Sequence, residues 1–175
     1  MRHIILPSGF AMRSDAHHRI WLPISVCRGF VLHEEGKPGV VVAHRAQLGT
    51  GEERHSPTAK DLELLQRGAP IDLRGRMRHP EDLIAFMRQG MPPGGKVKMT
   101  IMARSEDAKD VGRYLFPSAA EAQKKGLITD IAFAYPGQLN RIMYVDATRG
   151  KVGTDSLLAI PRDRVLSPTP SEWEG

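Results

Sequence analysis

A single cysteine, Cys27, stands in a chain of 175 residues. That excludes an internal disulfide framework and any zinc site built on clustered cysteines. Aromatic residues make up only 6%, so the chain is poor in the ring platforms that single-stranded nucleic-acid binders use. No apolar run approaches the roughly 18–20 residues of a membrane span. The opening MRHIILPSGF has no apolar core of the length a secretory leader needs. An intracellular, cytoplasmic protein without a membrane anchor is therefore expected. Several catalytic signatures are also missing. There is no G-x-S-x-G elbow and no HExxH, HxxxH or HxH spacing among the seven histidines. His33 and His44 fall on two strand-like segments and could face each other, yet a metal site needs three or four convergent ligands. No metal or cofactor is expected.

The stretch 90–97 (GMPPGGKV) has the G-x-x-x-x-G-K spacing of a phosphate-binding loop. That loop requires a strand before it, a helix after it and a hydroxyl residue following the lysine. Here Val97 replaces the hydroxyl, and two prolines remove backbone donors. A helix-to-strand connector is the better reading. Cys27 with His33 or His44 would make a nucleophile and base only if they met in space. A lone cysteine in an apolar strand is ordinarily a small buried hydrophobe. The paired carboxylates Glu34–Glu35, Glu52–Glu53, Glu81–Asp82 and Glu106–Asp107 are sequence neighbours, which does not make them an acid–base pair.

What the sequence does have is arginine. Of 25 basic residues, 17 are arginine, and the formal net charge is +5. The excess is +3 over residues 1–50 and +4 over 67–113, but zero over 114–175. The densest stretch holds Arg67, Arg74, Arg76 and Arg78, with Lys96 and Lys98 on the next connector and strand. If those two sets share one rim, they form a phosphate-contacting face whose affinity falls with salt.

Periodicity gives the organisation. Residues 2–6 (RHIIL) and 19–27 (RIWLPISVC) read as strands, with Pro23 marking an edge or bulge. Segments 29–35 and 39–45 flank Gly36–Lys37–Pro38 as a hairpin. The Gly-rich stretch 49–55 is the candidate internal boundary between a β-rich part, 1–48, and a main part, 56–160. Ser56–Pro57–Thr58 starts a helix carrying Leu62 and Leu65, ended by Gly68. A second helix begins at His79–Pro80 with Glu81 and Asp82 in its first turn and Leu83, Phe86 and Met87 as its stripe. Residues 97–103 alternate, with Val97, Met99, Ile101 and Ala103 on one face. Ser105 caps a third helix through Leu115, ended by Pro117. Ser118 and Glu121 form a capping box for a fourth, closed by Gly126. Strands follow at 128–135, 141–147 and 156–160, the last two around the turn TRGKVGT. The tail 161–175 is proline-rich and extended, with Trp173 as a candidate partner contact.

The expected fold is α+β: a mixed or antiparallel sheet with helices on one face and a β-rich N-terminal third. The expected function is a non-catalytic interaction protein whose arginine face meets nucleic acid or an acidic protein partner. The alternatives are an assembly subunit of a large oligomer and a small enzyme with an unfamiliar site.

Overall fold

The computed structural model describes residues 1–24, 27–45, 57–74, 80–104, 115–136, 141–161 and 165–166. Two mixed sheets and a layer of helices make an α+β fold. The strands are β1 (Arg2–Ile5), β2 (Phe10–Ser14), β3 (His18–Leu22), β4 (Arg28–Glu34), β5 (Val40–Arg45), β6 (Ile71–Asp72), β7 (Val97–Met102), β8 (Asp130–Ala134), β9 (Arg141–Asp146), β10 (Lys151–Ser156) and β11 (Val165–Leu166). The helices are α1 (Ala59–Gln66), α2 (Pro80–Gln89) and α3 (Phe116–Lys124). One sheet runs β6-β2-β5-β4-β7-β8 and the other β10-β9-β3-β1-β11. No helix among the described residues is long and apolar enough to cross a membrane.

The layers follow from strand alternation. In β4, Phe30 and Leu32 join the helices' core while Val31 joins the core between the sheets. In β7, Val97, Met99 and Ile101 face α2 and α3, whereas Met102 enters the inter-sheet core. A strand buried on both faces loses the polar face that marks a surface sheet. The sequence suggests a single sheet because its polar alternation is sparse; the second sheet covers that other face. Strands from both sides of segment 49–55 enter each sheet.

The hairpin around Gly36–Lys37–Pro38 forms as expected, with β4 and β5 antiparallel and Val31 opposite Val42. The register sets His33 opposite Val40 and His44 opposite Gly29, so the two histidines do not face each other. The apolar stripe of α2 is buried as expected, with Ile84 added to it.

Several local expectations are corrected. The segment 19–27 is not one strand: β3 stops at Leu22, before Pro23. α1 is capped by Thr58, not Ser56; Thr58 Oγ1 accepts from the Asp61 N–H at 3.2 Å and Asp61 returns a bond to the Thr58 N–H at 2.8 Å. Pro117 lies in the first turn of α3, where a missing N–H is harmless. Ser118 is then buried inside that helix and caps nothing. The helix expected from Ser105 lies outside the described residues apart from Leu115. The last hairpin is shifted: β10 is Lys151–Ser156, and residues 157–159 make a 3-10 turn. Its glycine has a packing reason. Gly153 lies opposite Tyr144, whose hydroxyl would be 2.5 Å from any Cβ added there.

β2 was not legible. It is reached through Pro7–Ser8–Gly9, with Gly9 at φ 93°. That left-handed residue turns the chain from one sheet to the other. β1 and β3 then pair side by side in parallel.

Candidate functional site

The hydrogen-bond registers put one row of residues across the six-stranded sheet: Ile71, Ala11, Ala43, Phe30, Ile101 and Phe133. From that row the sheet has two ends. One holds the starts of β4 and β2 and the last residues of β5 and β7. The other holds the starts of β5 and β7.

Arg74 follows β6 at the first end. Asp72 clasps its guanidinium at 2.9 and 2.7 Å, and the guanidinium carbon lies 5.3 Å from the Phe10 ring centroid. The Asp72 carboxylate raises the Arg74 pKa. Lys98 lies three residues from the row in the opposite direction, beside Asp130 and His33. Lys96 precedes it. Arg67, the C-cap of α1, is also toward that far end: the Gln66 carbonyl beside it accepts from Arg13, and the Gln66 amide donates to Gln89. Arg74 and Lys98 are four strand positions apart, about 19 Å, and about 20 Å apart along the strands. The single rim expected for these residues does not form. The reason is α2. Ten helical residues rise about 15 Å, so the chain leaves Arg74 at one end and returns at Lys96 at the other. Arg76, Arg78 and Trp173 lie outside the described residues.

The first end gathers arginines that are scattered in sequence. Arg28 opens β4 and Arg45 closes β5, and the two are register partners. By alternation both share the helix side with Phe30 and Ala43. Arg28 is 6% exposed, and its Nη1 donates to the Cys27 carbonyl at 2.8 Å. Arg104 follows β7 one strand further on, and Arg74 stands on the other flank.

The C-terminal ends of α1 and α2 meet at Gln66 and Gln89. Arg88 near the end of α2 donates to the Leu127 carbonyl just beyond α3. The first turns of α1 and α2 carry Asp61, held in the α1 cap, and the exposed Glu81 and Asp82.

Candidate nucleophiles and bases are used structurally. Cys27 Sγ donates to Ser8 Oγ at 3.3 Å. His33 Nδ1 contacts the Gly39 carbonyl at 2.9 Å, and His44 Nδ1–H donates to the Leu6 carbonyl at 2.6 Å. His44 is 2% exposed, and its Nε2 is buried without a hydrogen-bond partner. Burial lowers its pKa, against the opposing pull of the Leu6 carbonyl. Burial, followed by the positive charge of Arg2, also lowers that of His18. For a base whose folded pKa is depressed, the unfolded chain binds the proton more readily. Stability is then full above about pH 6.5 and falls as pH drops below it. We expect the denaturation midpoint to decline between pH 7 and 5, and His44→Gln to flatten that decline. Midpoints with the same pH slope in both proteins would remove His44 as the cause.

A second cluster lies on the outer face of the five-stranded sheet. Arg19 donates twice to Asp146, at 2.7 and 3.1 Å, and its guanidinium sits 4.0 Å from the Tyr144 ring centroid. The hydrogen bond to Asp146 raises the Arg19 pKa. Trp21 Nε1 donates to His3 Nδ1 at 3.0 Å, and the Trp21 ring meets Tyr144 edge-on at 5.2 Å. With Arg19 committed to Asp146, this cluster is a lock on the sheet. Among the described residues, no three His, Cys, Asp or Glu side chains are grouped to hold a metal.

No protein-family model matches the sequence, and no curated protein matches it. The functional reading therefore stands on the residues themselves. Counting outward from the expected turn at 36–38 puts residue 28 opposite residue 46, one short of the observed partner Arg45, and a search for dense basic stretches passes over pairs made by folding.

Proposed function

We infer that this chain is a non-catalytic interaction protein that binds a phosphate-bearing polyanion, nucleic acid first, at the arginine end of its six-stranded sheet. The observation that carries the reading is the gathering of Arg45, Arg74 and Arg104 at one end of the six-stranded sheet, around the buried Arg28. Planar guanidinium forks suit phosphate oxygens. The sequence adds Arg76 and Arg78 between Arg74 and Pro80. Arg67, Lys96 and Lys98 fall outside this contact, since Lys96 and Lys98 share their end with Glu34, Glu35 and Asp130.

Binding of this kind is positioned by phosphates and weakens with salt. The test is fluorescence anisotropy of labelled oligonucleotides against the full chain, from low to moderate salt. Affinity that falls linearly on a log–log plot supports the reading. Absence of binding at low salt sinks it, and a stable oligomer in light scattering would then favour an assembly subunit.

A further inference from the structure

A strand at the margin of a sheet turns half of its main-chain donors and acceptors away from its neighbour. Folded chains blunt such margins with short strands, charge or proline. Among the described residues the two sheets end at β6 and β8 and at β10 and β11. β6 and β11 are each two residues long. β10 carries Lys151, Gly153 and Asp155. β8 has none of these devices. Its sequence is Asp130–Ile131–Ala132–Phe133–Ala134, with charge only at the first position.

The outward groups of β8 follow from one hydrogen bond. The Ala103 N–H donates to the Ala134 carbonyl at 3.1 Å. Ala134, and Ala132 two residues before it, therefore turn their N–H and C=O groups toward β7, while Ile131 and Phe133 turn theirs to the open side. The same place is apolar. Phe133 is 36% exposed, and Phe116, 6.0 Å away between ring centroids, is 47% exposed.

We propose that β8 pairs antiparallel with β8 of a second copy of the chain, about a two-fold axis at Ala132, and joins two six-stranded sheets into one. Ile131 of each copy then lies opposite Phe133 of the other, and each such pair exchanges both of its N–H···O bonds. The closest pair, at the axis, is alanine against alanine. Asp130 falls opposite Ala134, so no like charges meet across the seam. Charge along the edge also suits this partner. β8 runs from the end that holds Asp130 and Lys98 toward the arginine end. An antiparallel copy sets its Asp130 toward the first copy's arginine end and keeps the two arginine ends on opposite sides of the joined sheet. A contact of this symmetry closes at two copies. It stands apart from the polyanion reading and leaves each arginine end open.

The experiment is sedimentation equilibrium of the nuclease-treated full chain over a concentration series, at low and at high salt. The mass should rise with concentration from one chain to two and stop there. It should do so at both salts, because main-chain and apolar groups make the contact. Phe133→Pro removes an N–H that points away from β7, so the ladder within the chain is kept and the outer one loses a donor. Phe133→Lys places a charge at the same point. Each should need at least about tenfold more protein to dimerise, and a cooperative melt shows that each is folded. Phe133→Tyr, which keeps the ring, should dimerise as the unmodified chain does. If Phe133→Pro does not melt cooperatively, Phe133→Lys decides. A strand from another protein as the true partner would leave the unmodified chain at the mass of one copy, and that result overturns the proposal. So does a mass that grows beyond two copies, a dimer that high salt dissolves, or one that persists undiminished in folded Phe133→Lys.

Discussion

Replacing Arg45 and Arg104 together with glutamine is expected to weaken oligonucleotide binding by about 100-fold or more, since charge-assisted hydrogen bonds contribute about 1.5–3 kcal/mol each. The salt dependence should change as well. A single strand loses a slope of about 0.7 per neutralised phosphate, so losing two contacts should flatten the log–log slope by about 1.4. Two measurements on one titration, affinity and slope, thus have to move together. Arg67→Gln with Lys98→Gln, at the far end of the sheet, is the matched control with the same charge loss and should move both much less. If the two double variants behaved alike, net charge and not the arginine end would be responsible. A melt of each variant keeps folding separate from binding. Should the glutamine pair fail to fold cooperatively, Arg45→Lys with Arg104→Lys retains the charge while removing the fork.

The largest expected loss of stability comes from Trp21. Its side chain is 1% exposed on the outer face of the five-stranded sheet. It holds three things at once: the hydrogen bond to His3, the edge contact to Tyr144 and a place beside the Arg19 guanidinium, 5.6 Å from its ring. Trp21→Ala should cost about 3–5 kcal/mol, as large aromatic truncations do. For a chain of this size each kcal/mol lowers Tm by about 2–4 °C, so a fall of roughly 6–20 °C is expected. Trp21→Phe keeps a ring without the N–H and should lose less. A double-mutant cycle of Trp21→Ala with Tyr144→Ala should give a coupling of about 0.5–1.5 kcal/mol. A loss below about 1 kcal/mol in chemical denaturation would mean that this face contributes little to the fold.

The elements that the sequence revealed are those whose signals are local. α2 has acids at its start, an apolar stripe and a closing glycine, all within ten residues. The β4–β5 hairpin has a turn and two apolar runs. The misreadings share another cause. β10 contains Gly153, which loses the appearance of a strand residue, and only Tyr144 from the neighbouring strand explains it. The second sheet is invisible along the chain because its strands come from both ends. The candidate site divided in the same way. Arg74 stood out by crowding, whereas Arg28 and Arg45 meet only through register.

The parallel pairing of His3 with Val165 has a consequence in time. During synthesis β1 and β3 emerge long before β11 or the β9 strand that completes β3. Until then β1 and β3 present unsatisfied edges and the apolar side chains Ile4, Ile20 and Leu22. Pairings this distant in sequence make folding slow and expose the nascent chain to association with its neighbours. Slower translation would not relieve this, because the missing partners lie far downstream of β1. The yield of folded protein should instead respond to lower expression level or to a chaperone that shields those early strands.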